Sequence, residues 1–147
     1  MAKAEKSAVP QGQVKEMRLQ EALREALRFE MARDKRVFVI GEDVALFGGA
    51  YGVTRGLLQE FGDSRVRDTP ISEAGMVGLA IGAAINGMRP IVELQFCDLL
   101  PLCMDQLTTH AARYHYQTGG RISVPIVIRN KFGTRPGGGP SRPGRGQ

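Results

Sequence analysis

One acid stands among small and apolar side chains in the stretch Asp68-Thr-Pro-Ile-Ser-Glu73-Ala-Gly75-Met-Val-Gly78-Leu-Ala-Ile-Gly82. Pro70 pushes Thr69 toward extended backbone, so a strand should end there and a corner follow. Ser72 then stands where a helix cap belongs, which puts Glu73 in the first helical turn, beside unsatisfied N–H groups. For most Ser-Glu pairs, complementing the helix dipole is the whole role. Here no lysine or arginine follows Arg67 until Arg89. The dipole contributes only about 0.3–1 kcal/mol, whereas burial among Ile, Ala, Gly, Met and Val acts far more strongly on a carboxyl. A carboxyl enclosed in this way suits proton exchange with a ring nitrogen.

The same helix carries Gly75, Gly78 and Gly82 together with Ala80, Ala83 and Ala84. Each interior glycine costs about 0.5–1 kcal/mol relative to alanine. Three of them make sense where another backbone or a ligand must approach closely, so this face is expected to be an interface.

Other groups are less promising. His110 and His115 are five apart and lie on different helical faces, which excludes a metal pair and suits surface or interface roles. Cys97 and Cys103 fit neither a disulfide framework nor a zinc spacing, and are expected to be buried free thiols. Tyr114 and Tyr116 are expected to pack rather than react. The Gly- and aromatic-rich loop 45–53 contains no GxGxxG fingerprint and no P-loop lysine.

The elements that must position these groups alternate between two periods. From Met17 to about Arg33, Leu19, Ala22, Leu23, Ala26, Leu27 and Met31 recur at helical spacing. Val37-Phe-Val-Ile40 is an all-apolar run, typical of a strand covered on both faces. Gly41-Glu42-Asp43 follows at its carboxyl end, where open α/β sheets place ligand groups. A helix is predicted over about Thr54–Phe61 and a strand over Arg65–Thr69. The Ser72 helix then runs to about Asn86 and is stopped by Gly87 as a C′ glycine. Pro90–Phe96 reads as a strand and Asp98–Tyr116 as a helix with Pro101 in its first turn. Gly119-Gly120 breaks the chain before a last strand, Val124–Arg129. This alternation predicts parallel βαβ units, hence an α/β fold with a doubly wound, mostly parallel sheet.

At 147 residues the chain is one domain by length and long enough to bury a core. Residues 1–16 read as a disordered lead-in, 17–132 as the α/β domain, and 133–147 as a disordered Gly/Pro/Arg tail. The formal charge of +5 resides at the two ends and leaves residues 17–130 neutral. A basic face for nucleic acid is therefore not expected; the Arg-Gly tail is the one segment that could bind it electrostatically. No run approaches the roughly 20 apolar residues of a membrane span, and a reducing cytoplasm is the default expectation.

Glu73, Gly78 and Gly82 at this spacing resemble the glutamate-glycine signature of the pyrimidine-binding half of thiamine-diphosphate enzymes. With Gly-Glu-Asp-Val at 41–44, Gly-Met-Arg-Pro at 87–90, Phe-Cys-Asp at 96–98 and Met-Asp-Gln at 104–106, the resemblance narrows. It points to the beta subunit of 2-oxo acid dehydrogenases of the pyruvate or branched-chain type, over residues 17–139. The resemblance implies that Glu73 bonds N1′ of the thiamine aminopyrimidine, favouring the tautomer whose exocyclic nitrogen takes the thiazolium C2 proton. It further implies that Glu42 supports the pocket and that Leu99 takes the place of an aromatic packed on the pyrimidine ring. With leucine there, ring stacking worth about 0.5–1.5 kcal/mol is given up. Ile126 matches a position whose backbone carbonyl helps bind potassium in some members.

An alpha subunit is expected to supply the magnesium and diphosphate motif, which is absent here. The implied assembly is a hetero-oligomer docked on the acyltransferase core of its complex. Beta subunits of this family are more than twice this length, and the match fades before a His-Ser pair and a further domain. A non-catalytic truncated remnant or interaction module is therefore the alternative reading, and a transketolase-type enzyme fragment a weaker one.

Overall fold

The computed structural model describes residues 16–131. The tail expected over 133–147 and the lead-in, Glu16 apart, lie outside the described residues. Four parallel strands form one sheet: β1 Val37–Gly41, β2 Val66–Asp68, β3 Arg89–Leu94 and β4 Val127–Asn130, in the order β2-β1-β3-β4. The helices α1 Leu19–Arg33 and α2 Leu57–Phe61 precede β1 and β2, and α3 Glu73–Ile85 connects β2 to β3. Between β3 and β4 come a 3₁₀ segment Cys97–Cys103, a π-helical segment Gln106–Ala111 and α4 Ala112–Gln117. All pairings are parallel, which is the predicted sheet.

Strand alternation sorts the core into two halves. Val37, Val39, Val66 and Ile91 face α1 and α2, meeting Leu27, Met31, Val53 and Leu57. Phe38, Ile40, Val92 and Leu94 face the other way, onto Met76, Val77, Ala80, Ile81 and Cys103. Both faces of β1 are thus covered, and all five of its residues are buried. That is why its sequence is a continuous apolar run rather than an alternation.

The end of α3 follows the predicted stop. Gly87 has φ +90°, its N–H donates to Ala84 O at 3.0 Å, and the Met88 N–H donates to Ala83 O at 3.0 Å. This is the paired bonding of a Schellman motif, which needs a left-handed residue at C′.

Several boundaries differ from the sequence expectation, each for a local reason. The helix expected from Thr54 begins only at Leu57, because Gly56 is left-handed at φ +84° and the buried Thr54 hydroxyl donates to Val44 O at 2.7 Å. The helix expected over 98–116 is broken into three pieces. Pro101, with no N–H to give, falls inside a 3₁₀ stretch, and the wider π turn follows it. The last strand starts at Val127 rather than Val124, since Ile126 N–H donates to Val124 O at 3.0 Å across a three-residue turn centred on Pro125. Ser72 occupies the cap position of α3 without a side-chain capping bond; its carbonyl accepts from Met76 N–H at 2.8 Å instead. Cys103 is buried, but Cys97 is only half-buried, its thiol donating to Asp98 Oδ1 at 3.2 Å. Tyr114 packs on the core, whereas Tyr116 is 89% exposed.

Candidate active site

The order β2-β1-β3-β4 means that the chain leaves β1 to one side and returns through β3 on the other. The crevice outside the carboxyl ends of β1 and β3 is therefore the switch point of the sheet, the usual ligand site of such folds. Glu42 and Asp43 leave β1 there, Gln95 leaves β3, and Glu73 opens α3 beside them.

Glu73 is 7% exposed, one of few buried charged residues in the fold. Glu42 is half-buried, and its carboxyl is pushed above the ordinary range by burial first, then by the negative charge of Glu73, then by Asp43. The buried Cys103 thiol is likewise raised by burial, with Glu73 adding to the rise. Glu42, Glu73 and Cys103 thus share one electrostatic neighbourhood. A buried carboxylate beside a second carboxyl whose hold on its proton is strengthened is an arrangement suited to acid–base work.

The backbone around Glu42 is tightly specified. Asp43 is the one described non-glycine residue with positive φ, at 57°. Its carbonyl accepts from Gly49 N–H at 2.8 Å, and its carboxylate accepts from the Gln95 side-chain amide at 3.5 Å. Left-handed backbone at an aspartate is tolerated but uncommon, and such residues gather at functional sites.

Leu99 lies half-buried in the 3₁₀ segment, which packs on α3, with its N–H donating to Phe96 O at 3.2 Å. Its segment thus meets the helix that Glu73 opens. Ile126 is elsewhere. It lines a groove of about 820 Å³ at the amino ends of the strands, among Arg33, Arg36, Arg89, Glu30 and Asp34. In that groove the Arg36 guanidinium, bonded to the Asp34 carboxylate, holds its carboxyl down at about 2.

The three glycines of α3 have different surroundings. A side chain at Gly75 would strike the Ser72 hydroxyl at 2.7 Å, so that glycine relieves the helix start itself. At Gly78 the nearest neighbour would be Gln106 Cγ at 3.9 Å, and at Gly82 nothing lies within 4 Å. Gly78 and Gly82 floor a groove of about 300 Å³ walled by Ile81, Ile85, Gln106 and Tyr114. Among the described residues no cluster of three or more His, Cys, Asp or Glu is arranged to hold a metal, and no helix is long and apolar enough to cross a membrane.

Two further charged residues went unnoticed in the sequence. Glu93, 3% exposed, sits near the carboxyl end of the interior strand β3, in register with Gly41 at the end of β1, and pairs with Arg129, its register partner on β4. A side chain on Gly49 would stand 3.0 Å from Glu93 Oε1, and φ there is +79°, so only glycine lets the loop close over this carboxylate. The available signal is one acid in the otherwise apolar run Pro90–Leu94.

The raised Glu42 carboxyl has a stability consequence. Because its folded value lies above its unfolded one, the folded state is favoured most below the unfolded value, ordinarily near 4.5. That contribution is lost as pH rises through the folded value. Glu42→Gln is therefore expected to raise the melting temperature at pH 7 and flatten its fall between acid and neutral pH. Parallel thermal melts across that range check it, and a steeper fall in the variant contradicts the assignment.

An all-parallel three-layer α/β fold with a buried acid at its switch point belongs to the ligand-binding α/β domains. More narrowly, the chain belongs to the family described as "Transketolase, pyrimidine binding domain", which matches residues 15–144. It is 51% identical over 115 residues to the pyruvate dehydrogenase E1 component subunit beta of Rickettsia bellii, covering 78% of this chain and 35% of the relative. It is 45% identical over 127 residues to the acetoin:2,6-dichlorophenolindophenol oxidoreductase subunit beta of Bacillus subtilis, covering 78% and 37%. To the mitochondrial pyruvate dehydrogenase E1 component subunit beta of Drosophila melanogaster it is 45% identical over 123 residues, covering 84% and 34%. The chain thus spans about a third of the length of these curated relatives.

Proposed function

We propose that this chain forms the pyrimidine-binding half of a thiamine-diphosphate site, completed by an alpha subunit, in an enzyme that oxidatively decarboxylates a 2-oxo acid such as pyruvate or a branched-chain analogue. The observation that carries this reading is the buried Glu73 carboxyl at the start of α3, set in the switch-point crevice of a pyrimidine-binding family member. The residues fit one half of the cofactor. A buried carboxyl can hold a protonated ring nitrogen, and Leu99 offers an apolar face in place of an aromatic one. The diphosphate and its magnesium would be held by the alpha subunit.

When bound, thiamine diphosphate supplies the carbanion chemistry that lets a 2-oxo acid lose carbon dioxide. Glu73 would hold and exchange the proton at the pyrimidine nitrogen N1′, and Glu42 would support it from the β1 turn. Burial of Glu73 keeps water from competing for that bond. A potassium ion at Ile126 would take one carbonyl oxygen from this chain and require further oxygen ligands around it.

The test is decarboxylation of pyruvate and of branched-chain 2-oxo acids with an artificial electron acceptor, by the chain assembled with an alpha subunit. Acetoin is run beside them because one relative is named for it. Failure of every assembly to turn over any of these substrates, despite stable association, would support the non-catalytic module instead.

The Gly78–Gly82 groove is our proposed seat for a helix of the alpha subunit. Because Gly82 lies inside α3 and an added Cβ would meet nothing within 4 Å, Gly82→Leu is expected to stabilise the chain alone by up to about 1 kcal/mol, the helical cost of the glycine. The same change should weaken association by about 1–3 kcal/mol through overpacking. Native mass spectrometry of both forms with the alpha subunit decides it, and equal complex formation removes the interface role.

A further inference from the structure

Asp68 ends β2, and its side chain reaches across to the turn that carries Glu42. One carboxylate oxygen accepts from Ala45 N–H at 2.7 Å and the other from Leu46 N–H at 3.3 Å. These amides follow Glu42 by three and four residues, just beyond the left-handed Asp43. On its other side Asp68 leads directly to Thr69, whose N–H donates to Gly41 O at 3.0 Å and whose hydroxyl reaches Met76 Sδ on α3 at 2.8 Å. Pro70-Ile-Ser then delivers the chain to Glu73.

We infer that Asp68 is a positioning residue whose two-pronged clamp on Ala45 and Leu46 fixes where Glu42 stands relative to Glu73. Among the described residues, the other hydrogen bond joining the end of β1 to the β2–α3 corner is Thr69 N–H to Gly41 O, before Glu42 is reached. The clamp needs two acceptors on a short arm. Asparagine keeps one acceptor and turns an N–H₂ group toward the other amide, glutamate is one methylene too long, and alanine offers nothing. The raised Glu42 carboxyl agrees with this placement, since burial and the neighbouring Glu73 both act on it. The catalytic consequence rests on the cofactor reading above; the placement itself does not.

Two measurements on the chain alone decide the placement. Amide hydrogen exchange at Ala45 and Leu46 is expected to quicken about tenfold in Asp68→Ala, as for loss of a net hydrogen bond, and by less in Asp68→Asn. Carboxyl-carbon NMR titration of Glu42 should show its midpoint falling toward the ordinary glutamate range in Asp68→Ala, with Asp68→Asn between. A merely structural role would lower melting temperature without moving that midpoint. An unchanged Glu42 midpoint, or unchanged exchange at both amides, overturns the proposal. If Asp68→Ala does not fold, the same two readouts in Asp68→Asn carry the decision. With the alpha subunit present, kcat should fall by up to about 10²-fold in Asp68→Ala, the scale of a small misplacement of a reacting group, with the KM for cofactor changed much less. Absence of turnover in the wild-type assembly, with both NMR changes present, would overturn the cofactor reading and leave the positioning role supported.

Discussion

Arg129→Met is expected to lower the stability of the fold by about 3–5 kcal/mol, the cost of stranding a buried charge. Glu93 lies 4% exposed by side chain near the carboxyl end of the interior strand β3, and Arg129, 19% exposed, is the cation bonded to it. The two are opposite each other in the β3–β4 register, so the pair spans the ladder rather than decorating a surface. Removing the guanidinium leaves a buried carboxylate without the ion pair it has in the fold. A domain of this size is stable by only about 5–15 kcal/mol in total, so this single change approaches the margin. Glu93→Leu with Arg129→Met should recover most of the loss, because replacing both members of a buried pair by apolar groups is often neutral. Arg129→Lys should fall between, keeping the charge but losing the guanidinium fork. Urea titrations of the four proteins check this; a loss under about 1 kcal/mol in Arg129→Met would mean that water reaches Glu93.

The contrast between Glu73 and Glu93 shows what could be read from the sequence. Glu73 was legible because local signals agreed: a proline-bounded corner, a helix start and small residues behind it. The covered strand β1 was legible because burial on both faces forces a continuous apolar run. Glu93 was not, since its partner Arg129 lies 36 residues later and only parallel register brings them together. Asp68 escaped for a related reason: its partners are main-chain amides, which have no letter in the sequence. The broken helix after β3 shows a different limit. Pro101 is tolerable in a first helical turn, but the choice between 3₁₀ and π bonding over 97–111 goes with packing on α3, which the sequence does not show. The Thr54 boundary failed because a hydroxyl that could cap a helix was instead spent on Val44 O, inside the loop it closes.

The largest effect on activity is expected at Glu73. Glu73→Gln preserves size, burial and one hydrogen-bonding oxygen, but the amide cannot exchange a proton with a ring nitrogen. Decarboxylation by the assembled enzyme should therefore fall by roughly 10²–10⁴, the usual worth of positioned acid–base catalysis. Stability should change little, because the substitution removes only a carboxylate from the first turn of α3, worth about 0.3–1 kcal/mol against the helix dipole. Cofactor affinity should weaken much less than turnover, since the apolar contacts of Leu99 and the diphosphate contacts assigned to the alpha subunit are untouched. The pattern sought is thus a fall in kcat with nearly constant cofactor affinity and a melting curve shifted by no more than a few degrees, which a folding defect cannot imitate. The isolated chain is expected to show no turnover, because half of the proposed site belongs to another subunit. Measured with an artificial electron acceptor, robust activity of the isolated chain would refute the shared site. Unchanged activity of Glu73→Gln in the assembly would refute the role given to the glutamate while leaving the fold and family intact.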